Sequence, residues 1–453
     1  MFLKISRFFL YCAPLSILIV LPGTFFPFIG GKYFVFRILV TLALMAVLAG
    51  WAFEGNPMSL KKQFLKVIQS PIGIAFMAFT GIILLASAFA FDPAVAFWSN
   101  YERGEGGFQM IHYLLFFVLL AGVFTKKKYW TTFFTVSLVA MFGTTLYGIL
   151  SAVDSQAFIG PYKQFADLGV LERLQSARFQ GSLGSPAYTA PYMLFSFFYV
   201  GWLWSAAKKK KRALLLAIPA LSWVLLFFLF AGTRGAFIGL LIALASVLAY
   251  AFVRIKKMRL YILGLAAVGI LVFGGLFMYR DTAVVKTLPG SRLLKISLNE
   301  TTAQQRIRTW KSAWKGFKER PILGWGPENF PIVFDRHFDT WHYNANPEEG
   351  TGSETWFDRA HNVLFEYLST AGLLGLISYL SIFTALGWSI LLLVKRKRQT
   401  YAQEILLVGI AAAYLGQGLL LFDVLPIFIN FVAVLALVTS LLIHSHKDHE
   451  RRT

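Results

Sequence analysis

Apolar residues occur along the chain in long blocks that are separated by polar connections. Twelve of these blocks are long enough to cross about 30 Å of hydrocarbon as α-helices. They lie at 7–29, 33–53, 71–91, 108–125, 129–153, 187–206, 213–230, 233–253, 260–279, 372–394, 402–422 and 425–443. Because backbone polar groups must be satisfied inside a bilayer, the pattern predicts an all-α polytopic membrane protein with about 12 transmembrane helices. No small-residue cleavage site follows the first block, so we expect a retained span rather than a signal peptide.

The polar connections divide the chain unequally. Residues 1–279 hold the first nine predicted spans, residues 361–445 hold the last three, and residues 446–453 form a short tail. The connection 280–360 is too long to be a simple link between helices. It contains five tryptophans, and aromatic side chains favour the membrane–water interface: Trp310, Trp314, Trp325, Trp341 and Trp356. We therefore expect a large loop with amphipathic helices that lies on the bilayer.

The net charge of +21 follows the predicted topology. Lysine and arginine clusters fall in every second connection, at 61–66, 126–128, 208–212, 254–259 and 395–398. The positive-inside rule then places these connections and both termini in the cytoplasm, and the 280–360 loop on the outer face. Since the topology accounts for the basic residues, we predict no nucleic-acid partner.

Metal chemistry has little support in the sequence. Cys12 is the single cysteine and lies inside the first predicted span, so neither a disulfide nor a cysteine metal site is expected. The three histidines of the C-terminal region, His444, His446 and His449, have no second set of ligands nearby. We therefore predict no metal and no cofactor.

Residues 302–319 have the periodicity of an amphipathic helix within the large loop. At 100° per residue, Trp310, Trp314 and Phe317 share one apolar stripe with Arg306, whereas Arg308 falls on the wet face. An arginine on a buried stripe needs a partner. That partner is either an internal carboxylate or an anionic substrate, and the sequence leaves both open.

Two further arginines adjoin apolar helices. Arg234 lies in "FLFAGTRGAFIGLL", where only a few small residues separate two spans, so its side chain either reaches to the interface or faces a polar cavity. Arg178 lies in the glycine-containing stretch before the sixth span, which either cradles a ligand or only turns the chain.

The stretch "DRAHNVLFEYLSTAGLLG" (358–375) places ionisable groups directly before an apolar helix. Asp358 is a candidate N-cap, with His361 in the first helical turn, where Asp358 could also orient the imidazole. A neutral imidazole can take a proton from an alcohol, and arginines such as the adjacent Arg359 can bind phosphate. Together these groups favour transfer of a group from a phosphate-activated lipid to a hydroxyl.

At these residues the sequence resembles the O-antigen ligase/polymerase family of bacterial envelope glycan assembly. His361-Asn362 is followed after nine residues by Gly372 and Gly375, which fits the family pattern His-[Asn/Ser/Gln], nine residues, Gly-x-x-Gly. "RPILGWGPENF" (320–330) and Arg306-x-x-x-Trp310 also resemble family segments. In "TRGAF", Ile238 replaces the leucine of Arg-x-x-x-Leu, and the element before the sixth span is reduced to Gly-Ser-Pro-Ala at 184–187.

The resemblance implies a metal-independent, inverting glycosyltransferase of the GT-C type in the bacterial inner membrane. Its donor would be a glycan on undecaprenyl diphosphate, used at the outer face. His361 would be the general base, and Arg234 and Arg306 would hold the diphosphate. We place Arg178, Arg308 and Arg359 as further substrate-binding candidates.

The acceptor is left open by the sequence. Lipid A core, another repeat unit or a protein hydroxyl would make the chain a ligase, a polymerase or a protein O-oligosaccharyltransferase, and the histidine motif favours the ligase. A secondary transporter is the alternative from another class. It should have paired broken helices in two related halves, which this sequence lacks.

Overall fold

The computed structural model describes residues 1–53, 57–100, 103–288, 290–294, 301–342, 356–397 and 399–444, without the side chains of 57–59, 292 and 301. The predicted tail at 446–453 lies outside the described residues. Within these ranges the chain is helical and forms no strand. The α-helices are α1 (Phe2–Cys12), α2 (Gly30–Phe53), α3 (Pro57–Ile68), α4 (Pro71–Ala88), α5 (Pro93–Trp98), α6 (Gly107–Val123), α7 (Lys127–Val153), α8 (Val170–Ser176), α9 (Pro186–Ala206), α10 (Lys210–Ala231), α11 (Arg234–Arg254), α12 (Arg259–Met278), α13 (Ala283–Lys286), α14 (Thr301–Glu319), α15 (Phe330–Arg336), α16 (Val363–Thr370), α17 (Gly372–Lys395), α18 (Tyr401–Gly418) and α19 (Leu425–His444).

Eight of the described helical segments are long and apolar enough to cross a membrane. They are Gly30–Phe53, Pro71–Ala88, Lys127–Val153, Lys210–Ala231, Arg234–Arg254, Lys256–Met278, Gly372–Lys395 and Leu425–His444. The chain is therefore an all-helical multi-pass membrane protein. Three further predicted spans coincide with helices: α6 is apolar but shorter, and α9 and α18 are long enough but less apolar. A total of 12 spans stays a prediction.

The continuous first span predicted at 7–29 is wrong. Helix α1 ends at Cys12, a 3₁₀ turn covers Ala13–Leu18, and the chain then forms turns up to α2. Pro14 lies at the start of the 3₁₀ turn, where its ring prevents a regular continuation of the preceding helix. Hydropathy alone does not register this break.

Helix α19 forms the centre of the bundle, because nearly all of its residues are buried. It packs against α6, α9 and α17. Aromatic rings fix part of this packing: Phe431 stacks on Tyr414 of α18 with ring centroids 3.9 Å apart. At the periphery, α12 contributes no buried residue and contacts the bundle through α11.

Helices α11 and α18 approach each other closely along a line of glycines. A Cβ on Gly239 would lie 2.8 Å from the carbonyl oxygen of Ala413, and a Cβ on Gly416 would lie 3.1 Å from the Cα of Gly239. Small residues allow such backbone contact between helices in a membrane. This contact sets the position of the first turn of α11, where Arg234 lies.

The polar segments collect at one end of the bundle, which we call the site end. There α4, α12 and α18 end, and α6, α11, α17 and α19 begin. The described parts of the 280–360 connection add α13, α14 and α15. Helix α14, Thr301–Glu319, confirms the helix predicted at 302–319.

The buried face of α14 differs from the predicted stripe. Its buried residues are mostly small or polar: Gln305, Thr309, Ser312, Ala313 and Gly316. Trp314 was expected on the buried stripe but is 47% exposed. Gly316 lets the helix pack against the following segment, since a Cβ there would lie 2.3 Å from the Val333 side chain. Arg306 borders this face and is half-buried.

Candidate active site

The family-like segment at 321–326 forms a strap that lies across the start of α17. Backbone bonds join Trp325 N–H to the carbonyl of Ser369 (3.0 Å), Gly326 N–H to that of Thr370 (2.8 Å) and Leu373 N–H to that of Pro321 (2.8 Å). The close approach requires glycine. Gly372 has φ +67°, and a Cβ there would lie 2.3 Å from the Ile322 backbone.

Helix α14 is fastened to the loop before α16 by Trp310. Its indole Nε1–H donates to the carbonyl of Ala360 at 3.0 Å. Its ring stacks on Phe365, with centroids 5.7 Å apart and planes at 11°. Arg306, one turn earlier on α14, is thereby held near His361, whose imidazole experiences the positive charge of Arg306.

Asn362, not Asp358, caps α16. The Asn362 side chain accepts hydrogen bonds from the backbone N–H groups of Leu364 and Phe365, and its amide donates to the carbonyl of Leu419 at 2.9 Å. His361 therefore precedes the helix instead of lying in its first turn. It has φ +53°, a left-handed conformation that is uncommon for a residue with a side chain.

The imidazole of His361 is held on three sides. The Phe357 and Phe422 rings meet it edge-on, with centroids at 5.2 Å and 5.0 Å. Its Nδ1 lies 3.0 Å from the carbonyl oxygen of Arg359, which can only accept, so we assign the proton to Nδ1. No hydrogen bond between the described residues uses Nε2. The lone pair of Nε2 is then available to accept a proton.

Burial lowers the pKa of His361 to about 4, and the charges of Arg306 and Arg103 act in the same direction. The carbonyl of Arg359 and the carboxylate of Asp358 partly oppose this shift. The imidazole is consequently neutral at neutral pH, which is the form that a general base requires.

Arg306 and Arg234 lie near each other. Burial and the charge of Arg234 together lower the pKa of the Arg306 guanidinium. No ion pair between the described residues includes Arg306. Two neighbouring guanidinium groups of like charge form a site that an anion would stabilise.

Arg178 braces the turn that carries Arg234. Its Nη2 donates to Thr233 Oγ1 at 3.2 Å, and its Nε donates to the carbonyl of Ala231 at 3.4 Å. The hydroxyl of Thr233 in turn donates to the carbonyl of Pro186 at 2.9 Å. The loop before α9 and the α10–α11 turn are thus joined at Arg178, whose predicted substrate contact stays a prediction.

Asp358 pairs with an arginine that the sequence did not suggest. Arg103 Nε lies 2.5 Å from Asp358 Oδ2, and Arg103 Nη1 donates to Tyr188 Oη at 2.8 Å. Burial alone would raise the pKa of Asp358, but the Arg103 guanidinium lowers it. Asp358 was expected to orient the imidazole, but no hydrogen bond between the described residues joins it to His361, whose Nδ1 lies against the carbonyl of Arg359. Asp358 acts on the imidazole only through its charge.

Arg359 was predicted to bind the substrate, but in the structure its side chain is buried and forms ion pairs within the protein. Its buried guanidinium contacts three carboxylates: those of Glu328, Glu366 (3.0 Å) and Glu105 (3.5 Å). Burial raises the pKa of Glu105 to about 8, although the charge of Arg359 opposes this. A guanidinium that is surrounded by three carboxylates has few N–H donors left to bind a phosphate.

Arg308 also has an internal partner. Its Nη1 lies 2.7 Å from Asp339 Oδ2, and its guanidinium stacks over the Trp341 ring at 4.5 Å. Arg308 and Arg306 therefore lie on different faces of α14, as the helical periodicity predicted. A substrate-binding role for Arg308 would require this pair to break.

The described residues contain no group of three or more His, Cys, Asp or Glu side chains that could hold a metal ion. Three carboxylates of the site end, those of Glu105, Glu328 and Glu366, are instead arranged around Arg359.

Sequence reasoning missed Arg103, Glu105, Glu328 and Glu366. The first two lie in the short connection between α5 and α6, which has several charged residues within a few positions. That density between two apolar helices was the available signal.

The comparisons with known proteins agree with the motifs. A family model described as O-antigen ligase matches residues 219–380, which run from within α10 to the first turns of α17. The matched segment includes Arg234, Arg306 and His361. No curated protein matches the chain. The motif resemblance is confirmed, because this family model matches the segment that carries the motifs, residues 219–380.

Proposed function

We propose that the chain is a glycosyltransferase of the O-antigen ligase type. It moves a glycan from undecaprenyl diphosphate to an acceptor hydroxyl at the outer face of the bacterial inner membrane. The observation that carries this proposal is the position of Arg306, whose charge acts on the neutral imidazole of His361 and which itself lies near Arg234.

The proposed reaction is a direct displacement. The acceptor oxygen forms a bond to the anomeric carbon while the bond from that carbon to the diphosphate oxygen breaks. The acceptor proton passes to Nε2 of His361, and the electron pair leaves with the diphosphate. Arg234 and Arg306 offset the charge on the leaving diphosphate without a metal ion. One displacement predicts inversion at the anomeric carbon, as in a GT-C enzyme.

The decisive experiment is transfer in vitro with a defined undecaprenyl-diphosphate glycan and purified protein. His361→Ala should lower the rate by about 10²–10⁴-fold, the usual contribution of a general base. Binding of the donor should survive, because the arginines hold the diphosphate. A His361→Ala protein that transfers glycan at the wild-type rate would contradict the base assignment.

The acceptor is decided by the same assay with a panel that contains lipid A core, the repeat unit itself and a Ser/Thr peptide. We propose the lipid A core as acceptor because the histidine motif resembles the ligase branch most. Product on the repeat unit alone would make the chain a polymerase. Product on the peptide alone would make it a protein O-oligosaccharyltransferase.

The placement of the site is testable by labelling. After Cys12→Ser, a cysteine at exposed Lys315 on α14 should react with an impermeant reagent from the outside. A cysteine at exposed Lys209, before α10, should react only from the cytoplasm. Labelling of both positions from one side would contradict the orientation.

A further inference from the structure

One peptide unit next to His361 is hydrogen-bonded on both sides. The carbonyl of Arg359 accepts from His361 Nδ1 at 3.0 Å. The N–H of the same peptide, which belongs to Ala360, donates to Glu366 Oε2 at 2.7 Å. We propose that Glu366 is a positioning residue that acts on His361 through this peptide. This inference rests on the proposed role of His361 as the base.

Glu366 is held in place by its surroundings: burial raises the pKa of its carboxyl, and Arg359 and the Ala360 N–H oppose that rise. It lies in the first turns of α16 and is 4% exposed. Its Oε1 accepts from Arg359 Nη1 at 3.0 Å while Oε2 accepts from Ala360. Both oxygens thus act as acceptors, which is the pattern of a carboxylate. The Arg359 side chain supplies the compensating charge.

The left-handed conformation of His361 makes this arrangement possible. With φ +53°, the imidazole folds back onto the carbonyl of Arg359, two residues earlier in the chain. The edge contacts of Phe357 and Phe422 hold the imidazole in this orientation. The strained backbone is held in place by bonds on either side, to Glu366 before it and by Asn362 after it.

Polarisation through the peptide gives Glu366 its effect. A carboxylate that accepts the peptide N–H makes the opposite carbonyl a stronger acceptor, because linked hydrogen bonds reinforce one another. The carbonyl then favours the proton on Nδ1 and stabilises the imidazolium that forms as Nε2 takes the acceptor proton. An acid in direct contact with a histidine has the same two effects. Asp358 does not take this role here, because it pairs with Arg103.

The test compares Glu366→Gln with Glu105→Gln in the full-length protein. Glutamine cannot accept from both Arg359 and Ala360, since its NH₂ group would face one of the two donors. We expect kcat to fall by about 10–100-fold, the effect of removing carboxylates behind metal-bound histidines, with KM for the lipid diphosphate unchanged. Glu105→Gln removes another carboxylate of the Arg359 cluster that has no bond to Ala360, and its kcat should match the wild type at neutral pH.

The tautomer gives a readout that a purely structural role would not change. In ¹⁵N-histidine NMR, His361 of the wild type should be protonated at Nδ1, and Glu366→Gln should populate the Nε2–H form. If Glu366→Gln does not accumulate in the membrane, the same measurements are made on Glu366→Asp. It keeps the charge beside Arg359, but its shorter side chain withdraws from Ala360, so the same fall in kcat is expected.

The outcomes separate this inference from the proposed function. Loss of activity in His361→Ala together with wild-type kcat and tautomer in Glu366→Gln would overturn the role of Glu366 alone. Equal losses in Glu366→Gln and Glu105→Gln would also overturn it, because the effect would then belong to the whole cluster. Full activity of His361→Ala would instead overturn the base assignment.

Discussion

The indole Nε1–H of Trp310 donates to the carbonyl of Ala360 at 3.0 Å, and this bond joins the helix of Arg306 to the loop of His361. Trp310→Phe keeps an aromatic ring against Phe365 but removes the donor. A hydrogen bond of this kind contributes about 1 kcal/mol, so we expect kcat/KM for the lipid diphosphate to fall roughly 3- to 10-fold. Trp314→Phe, an exposed position on the same helix, is the control and should change little. Equal effects of the two substitutions would count against the link.

The arginine pair gives the second prediction. Arg234→Lys and Arg306→Lys should each lose most transfer activity, since an ammonium group cannot supply the planar fork that binds phosphate. Arg308→Lys is the matched control on α14 and should keep nearly full activity, because Arg308 is paired with Asp339. The measurement is initial rate against donor concentration. A larger loss in Arg308→Lys than in Arg306→Lys would place the diphosphate on the other face of the helix.

The sequence predicted where the helices lie more accurately than which side of each helix is buried. It predicted α14 to within a residue at its start, and placed Arg306 and Arg308 on different sides. It assigned the wrong buried stripe, because Gly316 and Ser312 pack against the strap and α15 rather than against lipid. Ser312 donates to the carbonyl of His337 at 2.8 Å. Helical periodicity reports which residues are apolar, whereas these contacts depend on tertiary neighbours.

The roles of the motif residues stay predictions, and the groups that surround them in the structure were missed. Arg234 and His361 stood out because ionisable residues next to apolar helices are costly, and Arg306 stood out because it falls on the apolar stripe of its helix. The carboxylates around Arg359 come from three separate segments, and Glu105 is 254 residues away from it in the chain. A single sequence gives no signal for a pairing at that distance. Arg359 and Asp358 were therefore assigned to the substrate and to His361, although their charges are satisfied internally.

The pH dependence of transfer should reflect the buried imidazole. Burial lowers the pKa of His361 from 6.5 to about 4. Because the neutral form is the proposed base, kcat/KM should stay constant from neutral pH into the mildly acidic range and fall only as the pH approaches about 4. The charge of Asp358 raises the pKa of His361, so Asp358→Asn should move this fall to still lower pH. A fall centred near 6.5 would mean that the imidazole is solvated in the working enzyme.

Gly372 provides a prediction about stability. Its φ of +67° and its contact with the Ile322 backbone exclude a side chain. Gly372→Ala should lower the free energy of unfolding by about 1–3 kcal/mol from backbone strain, and the clash adds to this. Gly387→Ala on the same helix is the control, because nothing lies within 4 Å of its Cβ position. Unfolding temperature in detergent is the measurement, and equal temperatures for both variants would contradict the strap contact.

The last prediction concerns Glu105, whose pKa burial raises from 4.5 to about 8. The folded protein then holds this proton more tightly than the unfolded chain does. Its contribution to stability is fully present below 4.5 and is lost as the pH rises through about 8. We expect the unfolding temperature of the wild type to fall over that interval. Glu105→Gln, which resembles the protonated acid, should show a flatter dependence, whereas exposed Asp167→Asn should follow the wild type. Parallel curves for wild type and Glu105→Gln would mean that Glu105 is already ionised beside Arg359, and that the arginine outweighs burial.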